Sequence, residues 1–151
     1  MENTMSVAMA LDNMLYEKNG EHMDEMRMHK LMYFAQRESL MYNNKPLFDA
    51  TFYGWKYGPV LKEVRSEFKK KSGFGDSLNL QSQVSEDTKG LLRRVFDRYG
   101  SLSPWKLSAL SHEEFSWKMA RSGLDYEDNG DVALSLTAMK ADAQRELMNR
   151  K

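Results

Sequence analysis

MRMHKLMYFAQRESLMYNNKPLFDATFYGWKYGPV, residues 26–60, decides how this chain is read. Asp24, just ahead of it, is a good helix N-cap. Met28, Leu31, Met32, Ala35 and Tyr42 then share one face with Phe34 beside it, so the spacing predicts an amphipathic helix. Asn43-Asn44 ends that helix, and Pro46 prevents its continuation. Thr51, Tyr53, Trp55 and Tyr57 alternate, which favours a strand or extended segment over 50–57, although Gly54 weakens a regular strand. Gly58-Pro59 follows. Proline suits a first helical position because its missing N–H has no intrahelical partner there. A third helix is therefore expected from Gly58-Pro59 to near Lys71, with Val60, Leu61, Val64 and Phe68 as its buried stripe. The whole stretch contains no recognisable catalytic set and reads as a shaped surface.

Outward from it, Val7, Ala10, Leu11, Met14 and Leu15 predict a first helix at about 6–17, stopped by Asn19-Gly20. Leu78 and Leu80 alternate and offer a short strand to pair with 50–57. Ser85 caps a helix with Leu91, Leu92, Val95, Phe96 and Tyr99 on its apolar face, and Gly100 stands where a C′ glycine belongs. Ser103-Pro104 restarts the chain as N-cap and first helical residue, followed by Trp105, Leu107 and Leu110. A short helix carries Phe115, Trp117, Met119 and Ala120. Beyond the acidic loop 122–131, Ser135 or Thr137 caps a last helix with Met139, Ala143 and Leu147. The sum is a mainly α, compact fold of about six helices with room for one short β-hairpin, in a single domain spanning 1–151.

Length and composition fit this. The 151 residues can enclose a real core, and 41% hydrophobic with 29% charged residues is an ordinary soluble composition. Twenty-two basic residues balance twenty-two acidic ones, which argues against bulk attraction to nucleic acid. No segment approaches the length of a membrane span, and the N-terminus lacks the basic region of a secretory signal, so a cytoplasmic location is expected. The absence of cysteine removes disulfides, thiol catalysis and zinc–thiolate sites. Nine of twelve methionines lie in the first 41 residues; their helical spacing marks most as core filler, although methionine also suits adaptable binding surfaces.

Motifs for chemistry are missing. His22, His29 and His112 form no H-E-x-x-H pattern and no i, i+4 pair. Asp125, Glu127, Asn129 and Gly130 occupy the first positions of a calcium loop, but Leu136 stands where the bidentate carboxylate belongs, so the segment reads as a surface turn. Phosphate-binding loops and a serine-hydrolase elbow are absent. No metal, no cofactor and no catalytic residue is expected. Lys62, Arg65, Lys69, Lys70 and Lys71 with Phe68 and Phe74 give a basic stretch that could meet single strands. Glu63 and Glu67 dilute it, and cations also complement a helix C-terminus.

Four stretches, in order, resemble the SocA-like antitoxin family, or Panacea domain. They are Met28-His29-Lys30-Leu31-Met32-Tyr33-Phe34-Ala35-Gln36; Pro46-Leu47-Phe48 leading into Gly54-Trp55-Lys56-Tyr57-Gly58-Pro59-Val60; Leu110-Ser111-His112-Glu113-Glu114-Phe115-Ser116-Trp117; and the final helix from about Leu134-Ser135. Gly54 replaces the usual alanine, Ser111 a threonine and Ser116 a proline. The resemblance implies a non-enzymatic protein that neutralises a cognate toxin by direct binding, in a family often carried by phages and mobile elements. It leaves open an adaptor that delivers its partner to a cytoplasmic protease, and a phage-encoded modulator of a host protein. A homo-oligomer is compatible with all three.

The resemblance marks Lys30, Tyr33, Trp55, Tyr57, Gly58, Pro59, His112 and Trp117 as candidate partner-binding positions. Each also has a plain structural reading. Trp55 and Trp117 suit cores as well as interfaces. Gly58-Pro59 reads as a helix start with N–H groups open to an acidic side chain or phosphate. Lys30 reads as a snorkelling lysine at the core edge. His112 is expected to cap or hydrogen-bond a buried carbonyl; a hydrolase using His112 with Glu113 or Glu114 is the enzymatic alternative.

Overall fold

The computed structural model of the protein describes residues 1–70 and 84–151. Among them, seven helices surround one two-stranded sheet: α1 (Thr4–Asn19), α2 (Glu25–Tyr42), β1 (Phe52–Trp55), β2 (Gly58–Leu61), α3 (Lys62–Lys69), α4 (Glu86–Tyr99), α5 (Pro104–His112), α6 (Phe115–Ala120) and α7 (Leu136–Asn149). The proposed strand at Leu78 and Leu80 lies outside the described residues. The caps follow local chemistry. Asp24, Ser85, Ser103 and Ser135 each accept a backbone N–H from the first turn of the helix they precede. Gly20 ends α1 in the left-handed conformation. Gly100 ends α4 with a right-handed φ of −65°; an added Cβ would lie 2.8 Å from Cδ2 of Phe96, so close approach is what favours glycine there.

Helix α2 is the axis of the fold, and every residue from Met28 to Met41 on it is buried. The expected amphipathic helix is therefore wet only at its ends, where Tyr42 turns out to be exposed. A helix buried all round must satisfy its polar side chains internally. Gln36 accepts the Leu47 N–H at 2.8 Å and donates to the Phe48 carbonyl at 2.9 Å, which pins the chain after α2. Ser39 donates to the Lys45 carbonyl. Arg37 and Glu38 are ion-paired, with Glu114 and Arg150 respectively.

Gly58-Pro59 does not start a helix. These residues form a strand, and α3 begins only at Lys62. β1 pairs antiparallel with β2 across the turn Lys56-Tyr57, with Gly54 opposite Pro59 and Trp55 opposite Gly58. Proline costs this ladder nothing. The Gly54 N–H turns outward to the Val132 carbonyl, so the pair Gly54–Pro59 is one that exchanges no hydrogen bonds. Gly58 has φ +121°, and only glycine adopts that conformation without strain.

Candidate functional site

Both edges of the hairpin are occupied, and the occupants explain the sequence motifs. On the β1 side, residues 132–134 join as an irregular third strand, with Leu134 N–H donating to the Phe52 carbonyl. The carbonyls at the tip are taken by side chains from α5, α6 and the end of α6. Arg121 donates to the Gly54 carbonyl at 3.0 Å, Trp117 Nε1 to the Trp55 carbonyl at 2.8 Å and Ser108 Oγ to the Tyr57 carbonyl at 2.7 Å. His112 hydrogen-bonds the backbone of Lys56 and stacks on Trp117, ring centroids 4.2 Å apart. The stretch around His112 and Trp117 is thus a clamp on the turn formed by Trp55–Gly58.

On the β2 side, two neighbouring residues of α2 replace a strand. Leu61 N–H donates to His29 Nδ1 at 3.2 Å, and Lys30 Nζ donates to the Pro59 carbonyl at 3.4 Å. With Nδ1 accepting, His29 uses Nε2–H toward Glu25 Oε2 at 3.0 Å, and Arg65 reaches the same oxygen at 2.9 Å. Burial holds His29 below its ordinary pKa, and its ring is neutral in this arrangement. Hydrogen bonds from His29 and Arg65 keep the Glu25 carboxyl below the usual range.

Lys30 does not snorkel. It is 1% exposed, and desolvation pushes its amine down to about 7. The α2 face it occupies is closed over by the hairpin; an added Cβ on Gly58 would lie 2.7 Å from Lys30 Cε and 2.5 Å from Ser111 Oγ. His112 Nε2 is also buried and has no partner among the described residues. Burial and the nearby Lys30 charge lower the His112 pKa.

Next to these groups a pocket of about 270 Å³ opens to solvent, lined by Glu25, His29, Lys30, Trp55, Tyr57 and Arg65 among others. Its wall is aromatic and cationic, and Trp105 extends it through Tyr57. Tyr57 and Trp105 stand edge to face at 5.6 Å, 42% and 64% exposed. Arg65 lies over the Trp55 ring at 5.5 Å, and Lys56 over Tyr57 at 5.3 Å.

The structure therefore gathers seven of the eight motif residues, namely Lys30, Trp55, Tyr57, Gly58, Pro59, His112 and Trp117, around one hairpin. Tyr33 is apart from them. It is fully buried and bonded to Ser116 and Asp142 at 2.9 and 3.1 Å. Trp55 and Trp117 are half-buried; Trp117 stacks on His112 in the clamp, whereas the Trp55 ring lies under Arg65 and donates to Asp131. Sequence reading missed Trp105, Ser108 and Glu25 as members of the site. Glu25 and His29 stand at i, i+4, which was a legible sign; Trp105 and Ser108 reach the site only through the placement of α5.

Other sequence readings resolve here too. The carbonyls of Asp125, Tyr126, Asp128 and Asn129 all accept from Arg121, so the acidic loop is wrapped around a guanidinium. Of the basic stretch, Lys62, Arg65 and Lys70 are paired with Asp131, Glu25 and Glu67. Glu114 meets Arg37 and Arg145 in a separate cluster, away from His112. Among the described residues, no helix is long and apolar enough to cross a membrane.

The chain matches no curated protein and no solved structure. Residues 28–118, more than half of it, match the model of the "Antitoxin SocA-like, Panacea domain" family, and that span begins at α2 and ends just after the Trp117 clamp: the protein belongs to the SocA-like antitoxin, Panacea domain family.

Proposed function

We propose that this protein is a non-enzymatic antitoxin of the cytoplasm that neutralises a cognate toxin by gripping it. The gripping surface is the hairpin tip and its surroundings, with Tyr57 and Trp105 as anchors and Lys56 and Arg65 as charged flanks. Family membership supports the antitoxin role. The observation that carries the choice of surface is the exposed Tyr57–Trp105 pair on a turn whose backbone groups are held by Arg121, Trp117, His112 and Ser108. Tyrosine, tryptophan and arginine dominate the residues that matter energetically at interfaces. A rigid mount lowers the ordering cost of binding. Occlusion of the toxin by an interface on the order of 1,600 Å² would suffice for tight neutralisation.

Co-expression tests this. The product of an adjacent gene should arrest growth alone and be harmless with this chain, and Trp105→Ala with Tyr57→Ala should restore arrest while the antitoxin stays folded. Rescue that survives both substitutions would move the interface elsewhere. Absence of any neutralised neighbour would remove the antitoxin reading.

A further inference from the structure

Lys30 is a buried amine with three donors and one long contact, to the Pro59 carbonyl at 3.4 Å. The buried charges beside it on α2, Arg37 and Glu38, each have an ion-pair partner, whereas Lys30 has none among the described residues. The nearest carboxylate, Glu25, is committed to His29 and Arg65. The pocket that Lys30 lines adds Lys56, paired with Glu127 at 2.6 Å, and Arg65, paired with Glu25, to its wall, and among the described residues Glu25 is the one acid in that lining. The donors that Lys30 has left over are complementary to an anion, and Tyr57 in the pocket wall packs against the exposed Trp105 ring.

We infer that this pocket is a socket for an aspartate or glutamate side chain of the partner protein, whose carboxylate accepts N–H donors of Lys30 while its backbone lies across Tyr57 and Trp105. The aromatic rim favours a protein-borne acid over a free one, because a free carboxylate would leave both rings uncovered. The inference rests on the proposed binding face.

Charge supports the same geometry. Lys30 faces Glu25 and His29 on its own helix, Lys56 in the turn, Arg65 on α3 and His112 on α5. His29 and His112 are both held low by burial and Glu25 is held low by its hydrogen bonds, whereas burial brings the Lys30 amine down to about 7. An entering carboxylate stabilises the ammonium form. Occupancy therefore draws one proton onto Lys30 at slightly alkaline pH.

The test needs no toxin. Random 12-residue peptides displayed on phage are selected on the full-length protein and, in parallel, on Lys30→Met. The wild-type pool should enrich an acid at one position. A synthetic peptide from that pool should bind wild type at least tenfold more tightly than Lys30→Met, and changing its acid to the amide should cause the same loss with no further loss on the variant. Its binding enthalpy at pH 8 should vary with the buffer's ionisation enthalpy, reporting proton uptake that Lys30→Met abolishes. Lys30→Gln serves as second variant if circular dichroism shows Lys30→Met to be misfolded. No enriched peptide, a pool without acid preference, or equal binding to both proteins overturns the socket. A Lys30-dependent acid preference in a protein that neutralises no toxin keeps the socket and removes only the antitoxin reading.

Discussion

Two polar clusters are buried on α2, seven residues apart, and they are built on opposite terms. The Arg37 cluster is paired charge to charge, although Arg37 Nε and Glu38 Oε1 are buried without a partner among the described residues. Arg37 meets Glu114 and the Tyr99 hydroxyl, Glu114 also meets Arg145, and Asp142 accepts the Phe115 and Ser116 N–H groups and the Tyr33 hydroxyl. It ties α2, α4, α6 and α7 together and caps α6. Burial and nearby Asp142 push the Glu114 carboxyl up to about 7 against the pull of its arginines. The Lys30 cluster is under-filled. Among the described residues it has an amine with one long contact and an imidazole nitrogen with none, beside an open pocket. The first arrangement fixes a structure; the second keeps binding capacity in reserve at a cost in stability.

The sharpest way to break the comparison is Arg37→Met. It takes from buried Glu114 one of its two arginines and leaves only the half-exposed Arg145, and loss of one partner of a buried pair costs about 3–5 kcal/mol, read as a lowered urea midpoint at pH 7. A small loss there would mean that the Arg37 cluster is not the structural one.

Lys30→Met should go the other way. Replacing a poorly paired buried charge by an apolar side chain of similar length should stabilise, on the order of 1–4 kcal/mol by analogy with buried ion pairs. The pH dependence has a definite sign. Between pH 7 and the ordinary lysine value of 10.5 the unfolded chain binds the extra proton, so wild-type stability rises with pH across that window. The advantage of Lys30→Met should shrink correspondingly as pH rises from 7 to 10. A constant advantage would show that Lys30 stays charged when buried.

Gly58→Ala should cost about 1–3 kcal/mol through its φ of +121° and its crowding against Ser111 and Lys30. Gly123→Ala, with positive φ but open space around it, should cost about 1 kcal/mol; the difference measures the tightness of the Lys30 side. Trp105→Ala should change thermal stability by no more than about 0.5 kcal/mol, since its ring is mostly exposed. The same substitution should weaken partner capture, which a pull-down on the neutralised toxin would read.

Much of the helical frame was legible because capping and spacing are local. Asp24, Ser85, Ser103 and Ser135 announced four helix starts, and the apolar spacing of α1 and α4 placed their buried faces. Gly58-Pro59 misled for an equally local reason. A proline after glycine fits a helix start and a strand pair that exchanges no hydrogen bonds, and only the outward bond from Gly54 to Val132 separates them. The buried state of Lys30 was illegible because a lysine on an apolar helix normally reaches water; here the hairpin closes over it. Tyr33 sat in the same motif as Lys30, yet nearly one turn further along α2 its hydroxyl meets Ser116 and Asp142 and joins the other cluster.

By itself the sequence determined a mainly helical chain, the positions of its caps, the lack of thiol chemistry and the motif residues that place it in its family. Short-range hydrogen bonding and periodicity are enough for that. Tertiary structure alone decided that Trp117, His112, Ser108 and Arg121 would hold one turn, and that Lys30 would lie beside an open pocket with no counter-ion among the described residues. Those facts depend on contacts between residues far apart in the chain, where burial and partner supply, not local preference, set the charge and the role of each group.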